Sequence, residues 1–170
     1  MHNAFEHPTN SDIMRRHAAA PRIYFIPMAA RSMPSRSIRR RALEETAGKL
    51  TGVFGLAGLE RGTGSKLGEP GWITVRWMDD PERKYCGQAA VGADWINLCP
   101  STPGCRCSGG PAVSLSTVRH ELGHALGFHH TESRNDLMYS QIRQCDQQPS
   151  TREQYHAALA YTQTPGGAAS

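Results

Sequence analysis

The 170-residue sequence predicts one α/β domain of the α+β kind, on three observations. Short strand-like runs near residues 23 and 72 flank a stretch with helical period. A hairpin signal follows at 85–99, with cysteines near both ends. Two further helical stretches close the chain. The order strand, helix, strand, strand, hairpin, helix, helix mixes both periods in one chain. Apolar residues make up 38% of the chain, and the 17 glycines bring it to an ordinary globular composition, which excludes a wholly disordered one. No apolar run approaches the ~18 residues a membrane span needs.

The elements can be justified in order. Residues 1–21 read as a flexible basic arm without period. Ile23-Tyr24-Phe25-Ile26, bounded by Pro21 and Pro27, reads as a buried strand. Over 35–50, Ile38, Ala42, Leu43, Ala47 and Leu50 share one face of a helix, and Gly52 lies just past its end. Val53 to Glu60 reads as a strand weakened by Gly55 and Gly58, and the Gly-rich stretch 61–71 as a loop. Trp72 to Met78 alternates strictly and reads as a strand.

Gly92-Ala93 suits a two-residue turn with Gly at its first central position. The pairing rule is then i + j = 185, which sets Val91 opposite Asp94 and Cys86 opposite Cys99. Counted outward from a hydrogen-bonded 91:94 pair, 86:99 is a non-hydrogen-bonded pair. Its Cα atoms would stand about 4.5 Å apart, so a Cys86–Cys99 disulfide is expected. Residues 100–112 form a Gly/Pro/Cys loop. A helix then starts at Ser114 or Ser116 and runs to Leu126, with Leu115, Val118, Leu122, Ala125 and Leu126 toward the core. Gly127 stops it. Ser150-Thr151-Arg152-Glu153 is a capping box that opens a last helix over 150–161. The tail from 164 is loose. The domain is therefore bounded at 22–163.

Charge is uneven. Residues 1–41 carry eight Arg against Glu6 and Asp12, a net +6, so the +4 chain leaves −2 for residues 42–170. The Arg are not interleaved with stacking aromatics, so the arm is read as solvated rather than as a nucleic-acid contact. A monomer is expected. No secretory signal is visible in residues 1–21.

Function concentrates at 120–130, which holds four of the eight His. His120 and His124 are i and i+4 and project from one helix face. Gly127 lets the chain turn sharply and return His130 as a third ligand. Three neutral imidazoles suit one zinc ion with a fourth position open. Glu121 stands about 100° round the helix from His120. There it can act as general base on the attacking water and then as acid to the leaving amine. From the counts of 8 His, 9 Glu and 17 Gly, chance would produce this His-Glu-x-x-His-x-x-Gly-x-x-His spacing in roughly one such chain in ten thousand.

The stretch matches in full the consensus of the metzincin zinc peptidases, and the chain is identified as similar to that family. Asp136-Leu137-Met138-Tyr139-Ser140 resembles its Met-turn, with Met138 eight residues after His130. Leu-Met-Tyr and His-Glu-Leu-Gly-His resemble the matrixin branch in particular, although Ser140 stands where matrixins usually carry Pro. The resemblance implies a metzincin-like zincin fold. That fold has a twisted, mostly parallel five-stranded sheet with an antiparallel edge strand, a zinc-binding active-site helix, a Met-turn and a C-terminal helix. It implies a zinc endopeptidase acting on proteins or peptides, with 85–91 as the edge strand that receives substrate. Tyr139 would help wall the pocket for the residue after the cut. Many matrixins carry structural calcium, but the six scattered Asp assign no such site here.

No cysteine precedes residue 86, so no N-terminal thiolate can hold the enzyme latent. Of Cys105, Cys107 and Cys145, one link from Cys145 to either of the others is expected, or else a second metal on all three. Five cysteines beside a His-built metal site favour a disulfide-permissive, extracellular compartment. Two other readings stand beside the main one. In one, Glu153 replaces His130 as third ligand. In the other, the chain is an inactive, metal-dependent binding module.

Overall fold

The computed structural model of the chain describes residues 21–26, 58–62, 64–78, 82, 84–99, 102, 104–105 and 113–162. The expected helix over 35–50, the arm up to residue 20 and the tail lie outside them. Five strands and two helices are described: β1 (Arg22–Phe25), β2 (Gly58–Arg61), β3 (Trp72–Trp77), β4 (Gly87–Gln88), β5 (Trp95–Leu98), α1 (Leu115–Ala125) and α2 (Thr151–Thr162). The sheet order is β2-β1-β3-β5-β4. The β1–β2, β1–β3 and β3–β5 pairs are parallel, and β4 alone runs antiparallel to its neighbour β5. The architecture is thus mixed α/β.

Burial explains the strand sequences. Trp72, Ile73, Thr74 and Val75 of β3 are all buried, as are Ile96, Asn97 and Leu98 of β5. Inner parallel strands covered on both faces lose the simple in–out alternation. Even Thr74, on the polar side of the sequence pattern, is wholly enclosed. Ile23, Ile73, Val75, Ile96 and Leu98 from the sheet meet Val118, Leu122, Ala125 and Leu126 from α1 in one core. Phe128, Leu137, Met138 and Ala157 close it from the far side.

α1 begins where Ser114 accepts a hydrogen bond from the Thr117 N–H at 3.0 Å. That decides between the two serines, because the hydroxyl satisfies an N–H the first turn leaves unpaired. It ends in a Schellman motif. The Gly127 N–H bonds the His124 carbonyl at 2.9 Å, and the Phe128 N–H bonds the Gly123 carbonyl at 3.0 Å. Gly127 takes φ 106°, a conformation glycine adopts without steric cost. The polar side of α1 is also buried, Thr117, His120, Glu121 and His124 included. A buried polar side against an apolar core side makes this helix the floor of a site.

The hairpin register holds, since Gly87 pairs with Leu98 and Gln88 with Asn97, each pair summing to 185. The turn itself is displaced. The Ala93 N–H bonds the Ala90 carbonyl at 3.0 Å, so Val91 and Gly92 are its central residues. Gly92, with φ 71°, sits at the third turn position rather than the second. The surplus residues on the returning side leave β4 and join β3: the Thr74 N–H bonds the Asp94 carbonyl at 2.8 Å, and Thr74 is in register with Trp95.

The Cys86–Cys99 expectation is corrected, because Cys86 takes Cys105 as its partner. The Cys99 N–H bonds the Cys86 carbonyl at 2.8 Å, so 86:99 is a hydrogen-bonded pair, the wider kind. Cys86 is bonded to Cys105, with Cα atoms 5.3 Å apart, and Cys99 keeps a buried thiol. The Thr102 N–H bonds the Cys99 carbonyl at 3.4 Å, the Cys105 N–H bonds the Thr102 carbonyl at 3.3 Å, and the Thr102 hydroxyl bonds the Tyr85 carbonyl at 3.0 Å. Cys145 is disulfide-bonded too. With Cys105 committed to Cys86, neither a Cys145–Cys105 link nor a metal site using Cys105 stands.

Candidate active site

α1 carries two of the expected ligands, and the turn at Gly127 returns the third. The Nε2 atoms of His120, His124 and His130 lie 3.1, 3.1 and 3.2 Å from one another. Three nitrogens bound to one zinc at ordinary lengths and tetrahedral angles stand about 3.3 Å apart. The donor set therefore fits a single zinc-sized ion with little rearrangement.

The other ring nitrogens explain the aim. His120 Nδ1 donates to the Leu137 carbonyl at 2.8 Å, and His124 Nδ1 donates to the Phe128 carbonyl at 2.7 Å. Each contact fixes the tautomer and leaves an Nε2 lone pair pointing inward. Burial lowers His120 to a pKa of about 4 and His124 to about 3, with neighbouring imidazoles adding to the effect. Both are thus neutral, the form that binds metal. His120 and His124 are buried, while His130 is exposed and completes the group from the solvent side.

Glu121 lies beside this group, under the edge strand. Its carboxylate receives a backbone hydrogen bond from Ala89, but burial outweighs that bond and raises its pKa to about 8. A nearby dication would pull that value down, because opposite charge favours the ionised form. Gly87 of β4 packs so closely that a Cβ there would stand 2.6 Å from Glu121 Cγ and 2.8 Å from its Oε1. The edge strand and the glutamate are therefore in direct contact, a relation the sequence did not reveal.

The segment holding Met138 supports the site from below. Met138 is fully buried, and its carbonyl accepts the Thr131 N–H at 2.9 Å. Glu153 does not reach the imidazoles. Its carboxylate accepts the N–H groups of Leu137 at 2.9 Å, Met138 at 2.8 Å and Ser150 at 2.7 Å. The reading of Glu153 as third ligand is overturned, since both its oxygens are spent on backbone. Its real work is indirect. It ties α2 to the turn whose Leu137 carbonyl orients His120. Asp136 adds to this brace through an ion pair with Arg152 and a bond from the Ser150 hydroxyl at 2.7 Å. The capping box was legible in the sequence, but its long-range second use was not.

A cleft of about 610 Å³ opens over the three imidazoles and Glu121. Gly87, Gln88 and Ala89 line it, and so do Ser140, Ile142 and Arg143. Tyr139 is half-buried and does not line the cleft; Ser140, the next residue, does. His129 is half-buried beside His130 and outside the three-nitrogen group.

The matrixin family model matches residues 78–156, a stretch holding the three imidazoles, Glu121 and the other described residues that line the cleft. Residues 78–156 are matrixin-like. Matrixins are zinc metallopeptidases, and the three-histidine group in the matched stretch is of the kind that holds a metal. A comparison with the curated proteins finds no match. The matrixin-like segment begins in the strand region and ends inside α2, so it spans every described element of the site. Among the described residues no helix is long and apolar enough to cross a membrane.

Proposed function

We propose that the chain is a zinc-dependent endopeptidase of metzincin type, secreted, that hydrolyses peptide bonds in proteins or peptides. The observation that carries the reading is the convergence of three Nε2 atoms to 3.1–3.2 Å beside a buried glutamate in an open cleft. His120, His124 and His130 hold the metal, and Met138 sits in the Met-turn beneath it. The described sheet, with its antiparallel edge β4, supports the zincin fold. The bonded cysteines support an oxidising compartment.

A zinc ion held there supplies Lewis acidity toward the scissile carbonyl and toward water. The protein's own residues do the rest. The outer edge of β4 faces the cleft through Gly87, Gln88 and Ala89, so an extended peptide can pair with it through main-chain groups. Such pairing holds the scissile bond over Glu121. The Glu121 carboxylate takes the proton from the attacking water and returns it to the departing amine. Its backbone bond from Ala89 keeps it aimed at that place.

The test is cleavage of a peptide library by the zinc-loaded protein, before and after chelation. Cleavage that stops on chelation and returns with zinc supports the reading. A zinc-loaded protein that cleaves no peptide overturns it and leaves the metal-dependent binding module in its place.

A further inference from the structure

The cleft has a cationic lining. Lys84 and Arg143 both line it, and both are exposed. Among the described residues neither forms an ion pair. The carboxylate nearest Arg143 in sequence, Asp146, is already bound to the buried Arg119. The first turn of α1, whose Thr117 lines the cleft, carries no acid. Glu121 is the one carboxylate among the described lining residues, and it belongs to the chemistry. Gln88 and Gln144 add neutral hydrogen-bonding groups. The positive lining stands out because residues 42–170 as a whole carry −2.

Resting on the endopeptidase reading, we propose that this cleft selects peptides with an acidic side chain just after the scissile bond. Direction follows from the strand. The chain enters β4 from Lys84 and leaves it toward Ala89, and Glu121 lies against Gly87 and Ala89. A peptide adding antiparallel to β4 passes Ala89 first and Lys84 last. Its residues after the cut therefore lie toward Lys84, in the cleft that Arg143 also lines. An Asp or Glu in the first three of those positions meets two cations and, Glu121 apart, no acid among the described lining residues. A Lys or Arg there meets only repulsion.

The experiment compares kcat/KM for three peptides that differ only in Glu, Gln or Lys at the second position after the cut. Binding of the same peptides to zinc-loaded Glu121→Gln protein is read in parallel. Exposed charge pairs act weakly, so a preference of about three- to tenfold for Glu over Lys is expected, shrinking in high salt. Lys84→Glu/Arg143→Glu should reverse the order of the Glu and Lys peptides, read as the ratio of their kcat/KM values. Equal rates and equal binding for the three peptides overturn the proposal and leave the endopeptidase reading intact. A binding preference for Glu with no cleavage of any peptide upholds the proposal and overturns the endopeptidase reading. A Glu preference that survives the double reversal also overturns the assignment of Lys84 and Arg143.

Discussion

Gly87→Ala tests whether the edge strand positions Glu121, the proposed general base. The backbone at 87 does not occupy the left-handed region, so alanine meets no conformational barrier. The obstacle is contact. The new Cβ would stand 2.6 Å from Glu121 Cγ and 2.8 Å from both Glu121 Oε1 and Thr117 Cγ2. Carbon atoms pack at about 3.5–4.0 Å, so Glu121 must retreat by about 1 Å. A misplacement of that size at a reacting group costs up to about a hundredfold in rate, or about 2.7 kcal/mol. Overpacking adds about 1–3 kcal/mol of lost stability. The three atoms nearest the new methyl belong to Glu121 and Thr117 and none to a histidine, so zinc content should stay at wild type. The assay is kcat on a cleaved peptide with zinc content and a thermal melt on the same sample. Expected are an unchanged zinc ratio and a kcat lower by about ten- to a hundredfold. Thr117→Ser removes one of the clashing carbons and should return part of the rate. A Gly87→Ala protein with kcat within twofold of wild type would refute the reasoning.

Further outcomes follow from the same geometry. Glu153→Ala strands the buried N–H groups of Leu137 and Met138 and should cost about 2–5 kcal/mol in urea unfolding, with zinc affinity reduced through His120. Glu153→Gln keeps one acceptor and should cost clearly less. Cys86→Ser opens a loop with a sequence separation of 19 and should cost about 3 kcal/mol under oxidising conditions. An unchanged melt would contradict the Cys86–Cys105 link. In metal-free protein, the Glu121 pKa is raised from 4.5 to about 8, so the folded state binds more protons than the unfolded one across that window. Stability should therefore fall as pH rises from 6.5 to 8, above the range in which His120 and His124 contribute. Glu121→Gln should remove that part of the slope, which chemical denaturation at several pH values would measure.

The site was largely legible because its parts are local. The i, i+4 histidines, the glycine stop and the returning His130 are fixed by one helix and one Schellman turn, all within 11 residues. The capping box at Ser150 was legible for the same reason. What failed depended on partners distant in sequence. Gly92 with positive φ fits either of two turn positions, and the sequence does not choose between them. The choice changes which cross-strand pairs are hydrogen-bonded. The partner of Cys86 is set by a contact distant in sequence: Thr102 bonds the Tyr85 carbonyl, and Cys105 stands 5.3 Å from Cys86 between Cα atoms. The roles of Glu153, Asp136 and Arg119 are tertiary, since each joins segments more than 10 residues apart. Nothing in the sequence singles out Gly87, whose reason is its contact with Glu121.

The central claim is that three histidines hold one zinc ion and that Glu121 does the proton transfer beside it. Zinc content and peptide hydrolysis, measured together on wild-type and Glu121→Gln protein, test it most directly. One zinc per chain is expected in both, with hydrolysis lower by about 10²–10⁴-fold in the variant. A Glu121→Gln protein that keeps its zinc and cleaves at the wild-type rate would contradict the claim.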